Sequence, residues 1–322
     1  MRVLVTGVTG FAGTHLAQRL HAEGHEVFGT TRNVPSGDRP PPRPPVSTDH
    51  LLVAALNDTA RLAEVVRRVR PDALFHLAAF TSPSGSFSDP AKAYRINLQG
   101  SLNVFAAVRD AGQRCRIVWV GSSQVYGEVL PDELPVTEAN LLRPLSPYAV
   151  SKAAADLAAF QWSRTHGLDV VRMRPFNHTG PGQSSQFVCS DFARQIVAIE
   201  HGLQPPRISV GNLEVVRDFT DVRDVVRAYV LAWKHGAAGS AYNVCSGVGR
   251  TPREILNRLL AISGASANVA VQAGRPRPIE VPALVGSASK LQRDTGWHPT
   301  ISWEDTLQDL LNDWRQRWDR LA

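Results

Sequence analysis

Short apolar runs alternate with helically spaced segments along the first half of the chain. The apolar runs at 2–6, 73–77 and 117–120 are bounded by turn residues and are apolar on both faces, as in strands buried inside a parallel sheet. Between them, apolar residues recur at intervals of three and four. This alternation predicts an α/β fold with a doubly wound parallel Rossmann sheet, covered by helices on both faces. Further strands are predicted at 26–30 and 169–173, and helices at 13–22, 57–69, 91–111 and 148–166.

The pattern becomes less regular beyond Phe176. Helices are predicted at 191–201, 221–233, 253–262 and 303–318, with a strand at 242–244. The segment 35–45 contains six prolines and is predicted to be a surface loop. We therefore expect two domains. The Rossmann domain comprises 1–175 with about 214–245, and a smaller C-terminal α/β substrate domain comprises 176–213 with 246–322.

Length and composition narrow the class of protein. Of the 322 residues, 43% are hydrophobic and 20% are charged, which excludes disorder of the whole chain. No apolar run approaches the roughly 18 residues needed to cross a bilayer, and the N-terminus has no secretory cleavage pattern. We therefore expect a cytoplasmic protein with no membrane partner. The three cysteines are widely spaced and odd in number, which argues against a disulfide framework or a metal site.

The net charge of +6 does not indicate a nucleic-acid partner. It is the difference between 35 Lys+Arg and 29 Asp+Glu, and the arginines are dispersed along the chain. A nucleic-acid-binding protein more often concentrates its positive charge in a stripe with interleaved aromatic residues. Individual arginines remain candidates for binding a phosphorylated ligand, because the guanidinium group matches phosphate oxygens bidentately.

Three glycines follow the first predicted strand directly. Gly7, Gly10 and Gly13 lie in TGVTGFAG, with Phe11 and Ala12 between the last two. Glycines at this strand–helix junction allow a tight turn and a close approach of the backbone to a pyrophosphate, while the helix N-terminus supplies free N–H groups. The same triplet alone would also fit a simple tight turn. Its position before a helix and a second strand favours dinucleotide binding.

The end of the second strand bears on the choice of dinucleotide. An NAD site usually has an acid about 20 residues past the glycines, for the ribose 2′-hydroxyl. This chain has Thr31 and Arg32 there, and no acid before Asp38. Since an arginine attracts a 2′-phosphate, we predict a preference for NADP(H), with NAD(H) as the alternative. Arg32 would also be able to stack on the adenine of either cofactor.

A tyrosine and a lysine lie one helical turn apart at the start of the predicted helix 148–166. Tyr148 and Lys152 are at positions i and i+4 and share one face. A free tyrosine has a pKa of about 10, and we expect a nearby ammonium group and an oxidised nicotinamide ring to lower it. Ser122 follows the strand 117–120, at the edge where doubly wound sheets bind ligands. An isolated pair of this kind would equally fit a buried aromatic residue beside a solvated lysine.

Taken together, these motifs resemble the extended short-chain dehydrogenase/reductase family of nucleotide-sugar enzymes. The likeness spans nearly the whole chain and includes TGVTGFAG, HLAA at 76–79, Asn97 in INLQGSLNV, GSSQVYG and YAVSK. It implies that Ser122, Tyr148 and Lys152 form the catalytic triad. The family's acidic position on the adenine side aligns with Ala55, which departs from the pattern. The cofactor contacts implied by the likeness are Gly7, Gly10, Phe11, Ala12, Gly13, Thr31, Arg32, Leu56, Leu77, Ala78, Ala79, Tyr148, Lys152 and Pro175.

Motifs of the second half resemble one branch of this family, that of GDP-mannose dehydratases and GDP-6-deoxy-mannose reductases. They are RPFNHTGPGQ at 174–183, VRDFTDVRD at 216–224 and RPIE at 277–280. The likeness implies that a nucleotide-diphosphate sugar, most simply a GDP-sugar, is the partner of the site. It assigns Asn177, Arg217 and Arg277 to the diphosphate, Glu280 to the ribose hydroxyls and Val188 to the base pocket. Ser123 and Gln124 are placed beside the sugar.

Gln124 narrows the expected reaction. Dehydratases of this branch carry a carboxylate base two positions before the tyrosine of the strand-end motif, and an amide has no accessible basic state. We therefore predict NADPH-dependent reduction of a C4 ketone, of the type that converts GDP-4-keto-6-deoxy-D-mannose to GDP-D-rhamnose. The alternatives are a nucleotide-sugar 4-epimerase with tightly bound NAD, and a non-catalytic NADP sensor. The likeness also implies a homodimer through a four-helix bundle formed by helices 91–111 and 148–166.

Overall fold

The computed structural model describes residues 1–32, 46–112, 114–271 and 281–319. The proline-rich segment 35–45 lies outside them. The described strands are β1 Arg2–Thr6, β2 Glu26–Thr31, β3 Leu51–Val53, β4 Ala73–His76, β5 Arg116–Val120, β6 Val170–Pro175, β7 Asn177–Thr179, β8 Arg207–Val210, β9 Val216–Asp221, β10 Ala241–Val244, β11 Gly249–Arg250, β12 Asn268–Val271 and β13 Ala283–Leu284. The described α-helices are α1 Phe11–Ala22, α2 Thr59–Val69, α3 Gly85–Ser88, α4 Pro90–Tyr94, α5 Gly100–Asp110, α6 Pro147–Thr165, α7 Val188–Glu200, α8 Val222–His235, α9 Pro252–Ser263, α10 Ser289–Thr295 and α11 Trp303–Asp319.

Seven parallel strands form the main sheet, in the order β10-β6-β5-β4-β1-β2-β3. One face is covered by α1 and α8, through side chains such as Leu16 and Tyr229. The other face is covered by α2, α5 and α6, through Val66, Phe105 and Ala159. Parallel strands require such covering because each crossover places a helix on a face of the sheet. The doubly wound Rossmann fold is confirmed.

The predicted helix 91–111 is continuous but changes pitch in its middle. Between α4 and α5 the segment Arg95–Gln99 is π-helical, and it contains the buried Asn97. Such π-helical turns are rare and are often found at functional sites. Here the wider turn directs the Asn97 amide towards Phe80 and Ser151, where it donates to the Phe80 carbonyl (3.1 Å) and to Ser151 Oγ (2.9 Å).

The C-terminal third forms smaller sheets around a core of its own. In one sheet β9 lies between β11 and β13 and also pairs with β7, while β12 pairs with β8 in another. Helices α7, α9 and α11 pack over the buried side chains Phe192, Ile208 and Leu307. Residues 214–221 were expected in the Rossmann domain, whereas β9 pairs only within the smaller sheet among the described strands. The division into two domains otherwise stays a prediction.

Among the described residues, no helix has both the length and the apolar character needed to cross a membrane. The three cysteines are buried thiols without disulfides.

Candidate active site

The glycine-rich turn between β1 and α1 is shaped by two close backbone contacts. Gly7 has φ +72°, and a Cβ atom there would lie 2.9 Å from the backbone nitrogen of Ala78. A Cβ atom at Gly13 would lie 2.2 Å from the Gly7 carbonyl oxygen. Among the described side chains none caps α1, which begins after Gly10 and has no acid in its first turn. The turn therefore presents N–H groups and a positive helix end without a competing side chain, which suits a pyrophosphate.

The remaining predicted cofactor residues lie at the carboxyl ends of neighbouring strands. Leu77, Ala78 and Ala79 follow β4, Thr31 and Arg32 end or follow β2, and Pro175 ends β6. Arg32 is exposed, which leaves its guanidinium accessible to a ligand. Leu56 is buried, and its carbonyl accepts from Asn103 (2.8 Å). Since all the strands are parallel, these residues meet at one edge of the sheet.

Ser122 and Tyr148 are brought into direct contact at this edge. Ser122 follows β5 and Tyr148 lies in the first turn of α6, whose start is fixed by the Ser146 side chain accepting from the Ala149 N–H (3.1 Å). The hydroxyl groups of Ser122 and Tyr148 are hydrogen-bonded to each other. Both side chains are buried, at 8% exposure.

Lys152 lies one turn beyond Tyr148 and is also buried. Its Nζ donates to the Val120 carbonyl oxygen at the end of β5 (2.8 Å) and lies 5.4 Å from the centroid of the Trp119 ring. Burial lowers the pKa of Lys152 to about 8, because the apolar surroundings disfavour the charged form. Tyr148 and Lys152 thus lie one turn apart on α6, with Ser122 beside the tyrosine and the lysine hydrogen-bonded to the end of β5. Their catalytic roles stay a prediction.

The pKa of Tyr148 differs from the expectation. Burial raises it above its ordinary value of 10.0, and the hydrogen bond from Ser122 opposes that shift. The sequence analysis expected a lower pKa, from the lysine and an oxidised nicotinamide; in the protein alone desolvation outweighs other effects. Tyr148 therefore keeps its proton at neutral pH, which is the state a proton donor requires.

A buried ionic network links α6 to the sheet, and the sequence analysis missed it. Asp156 has no exposed surface and accepts from Arg174 through Nε and Nη2, both at 2.9 Å, and from Arg172. Arg174 also donates to the hydroxyl of Tyr126 (3.1 Å), which donates to Asn243 (2.6 Å). Tyr126 belongs to the same strand-end motif as Ser122. The sequence signal for this network is Asp156 itself, a single acid four residues after Lys152 on an otherwise apolar face of the helix.

The predicted substrate residues fall into two groups. Ser123 is buried and Gln124 half-buried, and both directly follow Ser122 in a short 3₁₀ turn. Asn177 begins β7 and pairs in register with Phe219 of β9. Phe219 lies two residues after Arg217 on the same strand.

Arg217 is half-buried and donates to the carbonyl oxygens of Val216 (2.8 Å) and Val281 (2.7 Å). Val188 begins α7, half-buried against the core of the smaller sheets. Arg277 and Glu280 lie outside the described residues.

Comparisons with known proteins agree with this geometry. The profile of the family described as GDP-mannose 4,6 dehydratase matches residues 4–310. GDP-6-deoxy-D-mannose reductase of Pseudomonas aeruginosa is 38% identical over 316 residues, covering 98% of each chain. GDP-mannose 4,6 dehydratase 2 of Arabidopsis thaliana is 29% identical and covers 96% of this chain and 86% of its own.

Solved structures show the same fold. The structure of RMD from Pseudomonas aeruginosa complexed with NADPH superposes with a TM-score of 0.86 at 36% identity, covering 98% of this chain and 100% of that one. UDP-glucose 4-epimerase of Thermus thermophilus, in complex with NAD, also gives 0.86, at 30% identity, covering 98% of this chain and 99% of the other. The chain therefore belongs to the GDP-mannose 4,6-dehydratase family of the short-chain dehydrogenase/reductase enzymes.

Proposed function

We propose that this protein is an NADPH-dependent oxidoreductase that reduces the C4 ketone of a GDP-linked 4-keto-6-deoxy sugar, of the type that converts GDP-4-keto-6-deoxy-D-mannose to GDP-D-rhamnose. The observation that carries the proposal is the buried, hydrogen-bonded pair of Ser122 and Tyr148, with Lys152 one turn away, at the sheet edge that holds the glycine-rich turn. The reductase of Pseudomonas aeruginosa, 38% identical across nearly the whole chain, supports it.

The glycine-rich turn fits the dinucleotide, because its open backbone and the uncapped end of α1 suit a pyrophosphate. NADPH, when bound, supplies the hydride that adds to C4. Tyr148 donates its proton to the ketone oxygen, so that the C=O bond becomes CH–OH. Ser122 holds that oxygen and the tyrosine hydroxyl in line. Lys152 stabilises the phenolate left on Tyr148 until a proton returns from solvent.

Gln124 supports reduction over dehydration. Elimination of the 6-hydroxyl requires a base that removes the proton on C5, and a carboxylate serves this purpose in dehydratases. The Gln124 amide follows Ser122 in the 3₁₀ turn and cannot accept that proton at neutral pH. Addition of hydride to a ketone needs no such base.

The test is turnover of NADPH with defined sugar nucleotides. Purified protein mixed with GDP-4-keto-6-deoxy-D-mannose should oxidise NADPH in one-to-one ratio with the reduced sugar formed, measured at 340 nm and by product chromatography. GDP-mannose should give neither oxidation nor dehydration. Interconversion of two sugars without net oxidation of the cofactor would instead identify an epimerase, and binding of NADPH without any turnover would identify a sensor.

We propose that Arg32 selects NADPH by binding its 2′-phosphate. In an Arg32→Asp variant the ratio of kcat/KM for NADPH to that for NADH should fall by about tenfold or more, because an ionic hydrogen bond is replaced by repulsion. The exposed Arg68 of α2 offers a control, since Arg68→Asp makes the same change of charge away from the strand ends. An unaltered ratio in Arg32→Asp would assign the selection to other residues.

The buried ammonium of Lys152 makes the rate depend on pH. Its pKa is about 8, against an ordinary value of 10.5. The ammonium form is present below about pH 8, so kcat/KM for reduction should fall as the pH rises through that value. The free energy of unfolding has the opposite trend. Because folding lowers the pKa of Lys152, the unfolded chain binds more protons than the folded chain between about pH 8 and pH 10.5, so the protein becomes more stable as the pH rises through this range. Steady-state rates from pH 6 to 10 check the first effect, and a flat profile would contradict it.

We also propose a homodimer through helices α4 to α6. Several apolar side chains are exposed on these helices, including Leu157 (58%) and Phe160 (45%) of α6. Val150 on the same helix and Tyr94 on α4 extend the surface. Several large exposed apolar side chains on neighbouring helices are typical of an interface between subunits. Sedimentation velocity should give the mass of two chains, and a monomer at micromolar concentration would contradict the proposal.

A further inference from the structure

Two arginines face each other across the antiparallel pair of β9 and β11. The register places Arg217 opposite Arg250 and Asp218 opposite Gly249. Directly opposed residues of antiparallel strands point to the same face, with Cβ atoms about 4.5–5.5 Å apart. The two guanidinium-bearing side chains therefore leave the sheet side by side, while Asp218 points to the other face.

Arg250 is held in place by an aromatic surface. Its guanidinium carbon lies 4.7 Å from the centroid of the Trp303 ring, which packs against Phe219 at 5.9 Å. It donates to the Val248 carbonyl (3.3 Å). Among the described residues no carboxylate lies within ion-pair distance of Arg250, although Asp218, Glu254 and Glu304 act on its charge from further away. Stacking on an aromatic ring fixes the plane of a guanidinium and leaves its edge available for a planar or bidentate partner.

The nearest carboxylates are already engaged. Asp218 accepts from the hydroxyl and N–H of Ser246 (2.7 and 2.8 Å) and from the Gly247 N–H (2.8 Å). Glu304 is paired with Arg258, and Glu254 with Thr251. None of these three carboxylates is bonded to Arg250, although each acts on its positive charge through space. A half-buried guanidinium with no carboxylate bonded to it keeps N–H donors available for an anion.

Arg250 also lies among the predicted nucleotide-binding residues. Phe219, on the same face of β9 as Arg217, pairs in register with Asn177. The charge of Arg250 acts on the buried thiol of Cys189, which directly follows Val188 in the first turn of α7. The strands and the helix that carry Asn177, Arg217 and Val188 thus neighbour Arg250, which was not predicted as a site residue from the sequence.

We propose that Arg250 binds the diphosphate of the nucleotide sugar, together with Arg217. This inference rests on the proposed function. A diphosphate carries more charge and more acceptor oxygens than one guanidinium satisfies, and two arginines at directly opposed positions of β9 and β11 supply one guanidinium for each phosphoryl group.

The test compares nucleotide binding by wild type and an Arg250→Met variant. Methionine keeps the stem that packs on Trp303 and removes the charge. Titration calorimetry with GDP, with guanosine and with NADPH separates the diphosphate from the base and from the cofactor site. Arg253→Met is the matched control, because Arg253 is exposed, lies three residues further on and pairs with Glu214 at the surface.

In Arg250→Met the Kd for GDP should rise by about 10- to 100-fold, the loss expected for one or two ionic hydrogen bonds. The Kd values for guanosine and NADPH should be unchanged, and Arg250→Lys should fall between wild type and Arg250→Met because it keeps the charge without the fork. Arg253→Met should bind GDP as wild type does.

Unaltered GDP binding in Arg250→Met would overturn the inference, and so would equal losses for guanosine and GDP. If Arg250→Met no longer binds NADPH, its fold is disturbed and Arg250→Lys is used instead. A wild-type Kd for GDP in Arg250→Lys that does not change with salt concentration would then overturn the inference. Failure of the proposed function is distinguishable, because it would appear in the wild-type protein, which would then not oxidise NADPH in the presence of GDP-4-keto-6-deoxy-D-mannose.

Discussion

A Tyr148→Phe variant should lose ketone reduction by about 10²- to 10⁴-fold in kcat, the usual contribution of a positioned acid. The hydroxyl of Tyr148 is hydrogen-bonded to Ser122 and is kept protonated by its burial, so that it is the proton donor best placed for the alkoxide oxygen. The Kd for NADPH should change little, because the glycine-rich turn is untouched. Stopped-flow measurement of a single turnover, with the cofactor in excess, gives the chemical step directly.

Tyr229 provides a matched control for this variant. It is fully buried in α8, and its hydroxyl has no hydrogen-bond partner among the described residues. Tyr229 does not contribute to the pKa shift of Tyr148, which comes from burial and from Ser122. Tyr229→Phe removes the same atom from the same core and should leave kcat unaltered, with equal or higher stability. Wild-type turnover by Tyr148→Phe would refute the assignment of Tyr148 as the proton donor.

An Asp156→Ala variant should lose about 3–5 kcal/mol of unfolding free energy, the range measured when one partner of a buried ionic pair is removed. Asp156 has no exposed surface and accepts hydrogen bonds from both Arg172 and Arg174. Without it two guanidinium groups remain in the interior with no carboxylate between them. Urea titration followed by fluorescence measures the loss.

Asp110→Ala is the control for that measurement, because Asp110 pairs with Arg109 at the surface and its removal should leave the urea midpoint in place. The variant Asp156→Asn, which keeps the shape but not the charge, should lie between Ala and wild type. A stability loss in Asp156→Ala no larger than that of Asp110→Ala would show that the network does not hold α6 on the sheet.

The same network explains why Asp156 matters to the site as well as to the fold. It lies on the same helix as Tyr148 and Lys152, two turns and one turn beyond them. Through Arg174 and Tyr126 it connects that helix to the loop that carries Ser122. The distance between the Ser122 and Tyr148 hydroxyls therefore depends on the buried charges of Asp156 and Arg174, which hold α6 against the loop after β5.

Several strands of the smaller sheets escaped prediction for a physical reason. β7, β11 and β13 are two or three residues long, which is too short for an alternating pattern to be read. Their stability comes from pairing with β9, which is distant in sequence from β13. In the first half the long helices were predicted within a few residues, and so were the strands of the main sheet other than β3, because their periodicity arises from contacts that are repeated along each element. The strand β3 was not predicted, since it is only three residues long.

The amino-acid sequence by itself determined the doubly wound fold, the glycine-rich turn and the pairing of Tyr148 with Lys152, since each depends on the spacing of residues within one strand, turn or helix. The tertiary structure alone decided that burial raises the pKa of Tyr148 and lowers that of Lys152, that Asp156 pairs with two arginines, and that Arg250 faces Arg217. Desolvation and strand register are set by segments far apart in the chain, and no local pattern encodes them.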